Sequence, residues 1–399
     1  MTKIFIVISE MNKGEYGGME SHAFAMVDYF RQRSDCEVAV VVSKIRRYDR
    51  LESFLKKRRI PLLKWIDPDF KKTAKAFVES IPQNSTIFFN SPLLYELFEP
   101  LIGSGRDLKI FVRSGGNDLG YHLHFFQNRS FKIKRILRSV LLNTPRLKYH
   151  QTRKVKSINH YVERLIVNSR YSKERALSLG IFSEKIFVVP GGTPVPELSN
   201  TNRPEPKELT VLNVSRLVPF KGTLFALQAF HYASLRASRP MRMIIVGEGH
   251  YRGELEQFVA EKKIQHVDFT GSLAYPDALA YYRRADIYLH MPTISVIKDG
   301  RFRYEHTETM GRSLCEASAF GLPIVCAEVG GVREVVRHGE NGFLVPEKDY
   351  VQAGKRLLEL QNLALRARLC GHGRALAEKE YSWPTVFSRY EKIGICGQS

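Results

Sequence analysis

The chain contains the segment Glu308-Thr-Met-Gly-Arg-Ser-Leu-Cys-Glu316-Ala-Ser-Ala-Phe-Gly-Leu-Pro323, in which two carboxylates stand eight residues apart. If the segment were one continuous helix, this spacing would be a little over two turns and would place both carboxylates on one face. If Gly311 instead marks a loop between a strand and a helix, Glu308 lies at the mouth of a cleft and Glu316 lies on the first turns of the helix. Both arrangements aim two acids at one pocket. The competing interpretation is a solvated acidic helix face that ends at Gly321.

Alternating strands and helices are predicted on both sides of this segment. Because 399 residues exceed one ordinary core, two domains are expected. Helices are predicted at residues 20–32, 223–237 and 276–285. Strands are predicted at residues 4–8, 38–42, 86–90, 109–113, 165–168 and 186–189, and then at 209–214, 243–246, 267–270, 287–290 and 323–326. Residues 190–207 interrupt the pattern with Pro, Gly, Asn and Glu. Apolar strands between helices indicate parallel sheets covered on both faces.

A second motif, Ser215-Arg-Leu-Val-Pro-Phe-Lys-Gly222, follows the first strand of the second half and opens a helix. Arg216 and Lys221 are two cations five residues apart, and the amides at a helix start attract anions. The pattern suits a diphosphate. A basic cap on an exposed loop is the alternative.

Two glycine motifs accompany these segments: Gly17-Gly-Met-Glu20 precedes the first helix, and Val246-Gly-Glu-Gly249 follows a predicted strand. Paired glycines let the backbone approach a ligand closely, and helix-start amides suit a phosphate or a sugar oxygen. An ordinary tight turn is the alternative for both motifs.

Together these segments resemble the retaining glycosyltransferases of family 4. The acidic segment resembles the family's E-x7-E signature, the Arg216 loop its G-R-L-x-x-x-K-G element, and the glycine motifs its G-G-x-E and V-G-x-G sequences. The resemblance extends over about residues 161–346 and includes segments 268–271, 326–334 and 341–346. Residues that occupy positions of the E-x7-E signature are Glu308, Gly311, Glu316, Ala317, Ala319, Gly321 and Pro323.

The resemblance implies a GT-B fold, in which two doubly wound Rossmann-like domains face a central cleft. Residues 1–195 would form the acceptor-binding domain and residues 205–379 the domain that binds a nucleotide sugar. A C-terminal helix within about residues 380–399 would pack back on the first domain.

The resemblance also implies roles for individual residues. Arg216 and Lys221 would hold the donor diphosphate and stabilise the departing nucleotide, and Glu308 would position the donor sugar, which makes these three the catalytic set. Glu316 would bind the ribose. Four glycines complete the implied donor site: Gly17, Gly18, Gly247 and Gly311. No metal and no other cofactor is expected, because the two cations can supply the electrostatic role.

One departure from the family concerns the acceptor side. Many relatives carry His-Asp after the strand at 109–113, whereas this chain has Arg113-Ser-Gly-Gly-Asn-Asp118. Arg113, Asn117 and Asp118 could replace that histidine, or His122 and His124 could reach in from the next turn. The expected acceptor-binding residues are therefore Glu20, Arg113, Asn117 and His122.

The charge is strongly basic and uneven. Lys and Arg number 61 against 41 Asp and Glu, a formal net charge of +20. No acid lies between residues 119 and 162, and residues 131–142 show the spacing of a basic amphipathic helix. Such a helix suits an anionic membrane surface, although its apolar stripe could equally pack on the domain core. Nucleic acid is not an expected partner, because no recognisable binding motif accompanies the charge.

The expected location is cytoplasmic, at the inner face of the cytoplasmic membrane. The apolar N-terminus is explained by a strand rather than a signal peptide, and no apolar run reaches the length of a membrane span. The five cysteines are scattered and lack metal spacing, which predicts a reducing compartment and no disulfide framework.

The predicted function is a retaining transfer of a hexose from a nucleotide diphosphate sugar, with UDP favoured, to a hydroxyl of a glycolipid or saccharide. The product would be an α-linkage in cell-surface polysaccharide or lipopolysaccharide biosynthesis. Alternatives are a GDP-mannose-dependent mannosyltransferase, another GT-B enzyme such as an inverting transferase or a sugar-nucleotide epimerase, and a basic nucleic-acid-binding protein. The sequence leaves open the donor, the acceptor, the linkage position, the oligomeric state and the role of the loop at residues 293–307.

Overall fold

The computed structural model describes residues 1–8, 18–42, 56, 59, 62–64, 70–120, 144–197, 205–299 and 302–396. The chain divides into two compact units. Unit 1 comprises Met1–Val189, Val296–Tyr304 and Phe387–Ser399, and unit 2 comprises Pro190–Ser295 and Glu305–Val386.

Unit 1 contains a seven-stranded parallel sheet. Its strands are β1 (Thr2–Ile8), β2 (Cys36–Val42), β3 (Leu62–Lys64), β4 (Ser85–Phe89), β5 (Leu108–Ser114), β6 (Arg164–Val167) and β7 (Ile186–Val188). They lie in the order β3-β2-β1-β4-β5-β6-β7, and Ile4 of β1 is in register with Val38 of β2. The helices are α1 (Gly18–Phe30), α2 (Phe70–Ser80), α3 (Phe98–Ile102), α4 (Thr144–Tyr161) and α5 (Arg170–Ser178).

Unit 2 contains a six-stranded parallel sheet. The strands from residue 209 onward are β8 (Leu209–Val214), β9 (Met241–Val246), β10 (Val267–Gly271), β11 (Ile287–His290), β12 (Ser295–Asp299), β13 (Phe302–His306), β14 (Ile324–Ala327) and β15 (Gly342–Val345). Six of them form the sheet, in the order β10-β9-β8-β11-β14-β15. The helices from residue 223 onward are α6 (Thr223–Ser234), α7 (Arg252–Glu261), α8 (Tyr275–Arg284), α9 (Arg312–Ala319), α10 (Tyr350–Glu359), α11 (Leu363–Glu380) and α12 (Trp383–Lys392).

Both faces of the unit 2 sheet are buried. Val211 and Leu289 belong to one apolar cluster, whereas Leu212 and Tyr288, their neighbours along the same strands, belong to another. Successive residues of a strand point to opposite faces, so each face carries its own core. The predicted α/β class with two doubly wound sheets is confirmed.

Four short strands were not predicted. Residues 293–307, expected to be a loop, contain β12 and β13, which pair with each other in a two-stranded sheet. The sequence Ser295-Val-Ile-Lys-Asp299 has only two apolar residues, so it lacks the run that identifies a buried strand. The edge strands β3 and β15 were also not predicted.

Helix α12 contributes aromatic side chains to unit 1. Phe387 and Tyr390 are fully buried. The Phe387 ring centroid lies 5.1 Å from that of Tyr29, and the Tyr390 ring centroid lies 5.7 Å from that of Phe88. The hydroxyl of Tyr390 lies 2.9 Å from Nε2 of His22. Burial of two aromatic side chains, with a buried polar contact, stabilises this end of the helix in unit 1.

A disulfide joins Cys36, the first residue of β2, to Cys396. The expectation that the cysteines do not pair is therefore wrong for these two. The reason is their separation of 360 residues, which no local pattern reveals. The Asp35 carboxylate lies with the two sulfurs in one cluster of metal-ligand atoms in the described part of the chain. Because the sulfurs are bonded to each other, neither is a thiolate ligand.

We expect Cys36→Ser to lower the free energy of unfolding by about 2–4 kcal/mol, because the disulfide restricts the unfolded chain. Urea denaturation with and without reductant measures this. Cys370→Ser is the matched control, since Cys370 is a free cysteine. Thiol titration of the oxidised, denatured protein should find the three free cysteines only, Cys315, Cys326 and Cys370. Five reactive thiols would contradict the pairing.

Candidate active site

The loop after β8 is fixed by backbone hydrogen bonds within unit 2. The amide of Ser215 donates to the carbonyl of Val246 at 3.1 Å, and the amide of Leu217 donates to the carbonyl of Glu248 at 2.9 Å. The loop ends in a 3₁₀ turn over Pro219–Lys221, and helix α6 begins directly after it. A helix start with its unpaired amides therefore follows the two predicted phosphate-binding cations.

Gly247 is required by the packing of this loop. Its φ is +140°, and a Cβ built there would lie 1.9 Å from the carbonyl oxygen of Ser215. A side chain would therefore push the loop after β9 away from the loop after β8. This close backbone approach explains the glycine whether or not a nucleotide lies beside it.

Lys221 forms an ion pair with Glu308. The Lys221 Nζ lies 2.5 Å from Oε2 of Glu308, and their side chains are 18% and 12% exposed. The Nε2 of His290, at the carboxyl end of β11, lies 3.3 Å from the same carboxylate oxygen. His290 is fully buried. Two nitrogen donors from separate elements therefore converge on one oxygen of Glu308.

The surroundings keep Glu308 ionised. Burial alone would raise the pKa of its carboxyl, but the charge of Lys221 and the hydrogen bonds from His290 and Lys221 hold it well below its usual range. Burial lowers the pKa of His290, opposed by the hydrogen bond to Glu308. The cluster therefore consists of an ammonium, a carboxylate and a neutral imidazole at neutral pH.

Glu316 has a different set of partners. Helix α9 begins at Arg312, after Gly311 with a φ of +85°, so a loop separates Glu308 from the helix that carries Glu316. Tyr275 donates to one carboxylate oxygen at 3.1 Å, and Tyr282 donates to the other at 2.8 Å. Of the two arrangements left open by the sequence, the loop at Gly311 is the one observed.

Arg312 completes the Glu316 cluster. Its Nε lies 3.2 Å from Oε1 of Glu316, one helical turn along α9. Its guanidinium also lies 5.2 Å from the centroid of the Tyr275 ring. Burial, with the Glu316 charge, raises the pKa of both Tyr275 and Tyr282, so both hydroxyls stay protonated and donate.

Arg216 is exposed, unlike Lys221. Its guanidinium lies 6.0 Å from the ring centroid of Phe220, and Lys221 Nζ lies 5.3 Å from the same centroid. The ring of His306, at the end of β13, lies 4.2 Å from that of Phe220. His306 thus contacts the loop after β8 through an aromatic pair.

The acceptor residues predicted in unit 1 are placed only in part. Arg113 is the penultimate residue of β5 and is 5% exposed. Its guanidinium lies beside Tyr390, whose pKa burial raises to about 12. Asn117 accepts a hydrogen bond from Arg175 at 3.1 Å. Gly18 and Glu20 lie in α1, but the side chain of Glu20 is outside the described part of the chain. The same holds for Gly17, His122, His124 and the predicted basic helix at residues 131–142.

Asp118 has a structural role in unit 1. Its carboxylate accepts hydrogen bonds from the hydroxyl of Ser114 at 2.5 Å and from the amide of Gly115 at 3.3 Å. The buried Lys154 donates to the Asp118 carbonyl at 3.0 Å, and burial lowers the pKa of this lysine to about 8. These contacts hold the turn that follows β5.

The sequence did not identify four side chains that hold the two glutamates: His290, Tyr275, Tyr282 and Arg312. Arg312 lies four residues before Glu316, a spacing that places both on one helix face and could have identified the pair. His290 was assigned only to a strand.

No helix in the described part of the chain is long and apolar enough to cross a membrane.

Part of the chain is similar in sequence to known glycosyltransferases. Residues 195–372 match the family "Glycosyl transferases group 1". A GDP-mannose-dependent monoacylated alpha-(1-6)-phosphatidylinositol monomannoside mannosyltransferase from Corynebacterium glutamicum is 32% identical over 181 residues, which is 45% of each chain. The amylovoran biosynthesis glycosyltransferase AmsK from Erwinia amylovora is 29% identical over 58% of this chain and 56% of its own. The chain spans about half the length of the curated relatives it matches.

Solved structures share the fold over almost the whole chain. Anabaena Alr3699/HepE, crystallised with UDP-glucose, has a TM-score of 0.74 at 19% identity and covers 98% of this chain and 99% of its own. The crystal structure of TarM, a protein also solved from S. aureus as a mutant with UDP, has a TM-score of 0.73 at 13% identity over 98% of each chain. The fold is therefore GT-B.

Proposed function

We propose that the chain is a retaining glycosyltransferase, because residues 195–372 match the glycosyl transferases group 1 family. It transfers a hexose from a nucleotide diphosphate sugar to a hydroxyl and forms an α-linkage. The observation that carries this proposal is the loop before α6, in which Arg216 is exposed and Lys221 is paired with the buried Glu308.

The donor diphosphate binds at the start of α6. There the helix amides and the two cations attract the phosphate oxygens and neutralise the charge that develops on the departing nucleotide. Glu308 positions the sugar, and Glu316 accepts hydrogen bonds from the ribose hydroxyls. Gly247 and Gly311 belong to this donor site in unit 2. These cations supply the electrophilic assistance, so we propose no metal requirement.

The reaction proceeds on one face of the sugar. The bond between the anomeric carbon and the diphosphate oxygen breaks, and the acceptor hydroxyl attacks from the same side. The departing phosphate takes the proton of that hydroxyl. We favour this course because hydrogen bonds from Lys221 and His290 engage the Glu308 carboxylate and make it a weaker nucleophile.

UDP is the favoured donor nucleotide, and GDP-mannose is the alternative. Alr3699/HepE was crystallised with UDP-glucose, whereas the Corynebacterium glutamicum relative is named as GDP-mannose-dependent. The donor is identified by thermal stabilisation with UDP, GDP, ADP and their sugars. Stabilisation by one nucleotide identifies the base, and a product formed without an acceptor would indicate an epimerase instead. Stabilisation by none would contradict the proposal.

The acceptor is a glycolipid or a saccharide of cell-surface polysaccharide or lipopolysaccharide assembly, bound in unit 1 by Glu20, Arg113, Asn117 and His122. The net charge of +20 favours association with an anionic membrane surface from the cytoplasmic side. Two relatives are named as phosphatidylinositol monomannoside mannosyltransferases, and the lipid in these names supports this choice.

Arg216→Ala should weaken binding of the nucleoside diphosphate about 10- to 100-fold, the value of a hydrogen-bonded charge pair. Because Arg216 is exposed, the melting temperature without ligand should not change. Isothermal titration and thermal unfolding measure the two quantities. Arg242→Ala, which removes an exposed arginine paired with Asp268, is the matched control. Equal affinities of Arg216→Ala and the parent protein would exclude Arg216 from the diphosphate site.

A further inference from the structure

His290 contacts Glu308 but takes no part in the proposed breaking and forming of bonds. It is fully buried, and its Nε2 lies 3.3 Å from Oε2 of Glu308. The residues on either side of it in the chain, Leu289 and Met291, are also fully buried and lie in the apolar core. A polar ring at this position costs free energy unless its hydrogen bonds are satisfied. The contact with Glu308 is the one that offsets this cost.

The geometry determines which nitrogen carries the proton. A carboxylate only accepts hydrogen bonds, so Nε2 of His290 must donate to Glu308. The Nδ1 has no hydrogen-bond partner among the described residues. A protonated Nδ1 would be a buried donor without an acceptor, whereas an unprotonated Nδ1 leaves only a lone pair unsatisfied. His290 is therefore the neutral tautomer with its proton on Nε2.

The two donors leave one oxygen of Glu308 available. Lys221 and His290 both contact Oε2. No described residue donates a hydrogen bond to Oε1, and the side chain is 12% exposed. Fixing Oε2 from two directions sets the rotation of the carboxylate and presents Oε1 to a ligand. The arrangement orients Glu308 before any sugar arrives.

Donor binding changes the balance between these two contacts. If Lys221 binds the diphosphate, as the proposed function states, its ammonium shares its hydrogen bonds with phosphate oxygens and holds Glu308 less firmly. The His290 ring lies at the end of β11 and is fully buried, so its hydrogen bond to Glu308 is not shared with a ligand in this way. We propose that His290 is a positioning residue, which keeps Glu308 oriented towards the donor sugar when Lys221 engages the diphosphate.

This inference rests on the proposed function, and paired substitutions test it. His290→Leu removes the donor at similar volume, whereas His290→Gln keeps an N–H that can reach Oε2. We expect His290→Leu to lower kcat about 10- to 100-fold, the value of a hydrogen bond to a charged group. KM for the donor and the affinity for UDP should change less than about threefold, and His290→Gln should restore kcat to within about threefold of the parent.

A control separates positioning from general stability. Tyr288→Phe removes a hydrogen bond from the same strand, since the hydroxyl of Tyr288 donates to the carbonyl of Val214 at 3.1 Å. It should lower the melting temperature without lowering kcat. If His290→Leu and His290→Gln have the same kcat, whether normal or reduced, the hydrogen bond to Glu308 has no role in the reaction and the inference is wrong.

A spectroscopic measurement does not depend on activity. Nitrogen-15 NMR of histidine-labelled protein, with the His290 signals assigned by their loss in His290→Gln, should show a neutral ring protonated on Nε2. Glu308→Gln should shift these signals. A ring protonated on Nδ1 would overturn the inference even if the enzyme is active. If the parent protein binds no nucleotide, the proposed function fails, and the spectrum still decides whether His290 holds Glu308.

Discussion

Lys221→Met is expected to lower kcat/KM for sugar transfer by about 10²- to 10³-fold, the effect of removing one preorganised donor from a developing anion. The same substitution leaves Glu308 buried without its cation. Breaking a buried ion pair costs about 3–5 kcal/mol of stability, so the free energy of unfolding should also fall. Steady-state kinetics and urea denaturation measure the two losses. Lys262→Met, at an exposed lysine after α7, should change neither.

The stability loss has a defined pH dependence. In the parent protein the folded-state pKa of Glu308 lies below its unfolded value, so the pair stabilises the fold above the ordinary carboxyl range, about pH 4.3, and this contribution is lost as the pH falls. Without Lys221, burial dominates and raises that pKa, so the variant should lose stability as the pH rises. The difference in unfolding free energy should be largest near pH 7 and shrink towards pH 4. A difference independent of pH would contradict the ion pair.

Glu316→Ala is expected to abolish stabilisation by the nucleotide and to lower the free energy of unfolding by about 3–5 kcal/mol. The nucleotide effect follows from the proposed ribose contact. The stability effect follows from Arg312, Tyr275 and Tyr282, which all lose their shared acceptor. Thermal unfolding with and without nucleotide gives both the free energy of unfolding and the stabilisation by the nucleotide. A nucleotide concentration of 100 times the dissociation constant should stabilise the parent protein by about 2.7 kcal/mol.

The control is Tyr282→Phe, which removes one donor to Glu316 and keeps the ring. It should cost about 1–2 kcal/mol and retain the nucleotide effect. A double-mutant cycle between Glu316→Ala and Arg312→Ala should show a coupling free energy, because the two side chains are in contact. Undiminished nucleotide stabilisation of Glu316→Ala would place the ribose elsewhere.

The sheets could be predicted from the sequence because their central strands are apolar runs. Strands β8 and β11 begin and end at the predicted residues, and β1 differs only by the addition of Thr2 and Lys3 at its start. A buried parallel strand needs apolar side chains on both faces, and this requirement is visible locally. Strands β3, β12 and β13 have at most two consecutive apolar residues, so their sequences resemble loops.

Only part of the candidate site could be predicted from the sequence, because its contacts join residues that are far apart in the chain. Lys221 and Glu308 were identified by motif, but their direct contact joins residues 87 positions apart. His290 lies at the end of a predicted strand, and a single polar residue there indicates only that the strand ends. Its role depends on the proximity of β11 to the segment before α9, which is a property of the sheet order. The partners of a site residue therefore require the fold.

Helix α12 implies an order of events during synthesis. Residues 387–396 leave the ribosome after all of unit 2, yet Phe387 and Tyr390 fill space beside His22, Tyr29 and Phe88 in unit 1. Unit 2 can therefore complete its core while unit 1 still exposes an apolar surface. Although unit 1 is translated first, it is completed last, and the bond between Cys36 and Cys396 can form only at that stage. A nascent chain stalled before residue 387 should bind chaperones through unit 1.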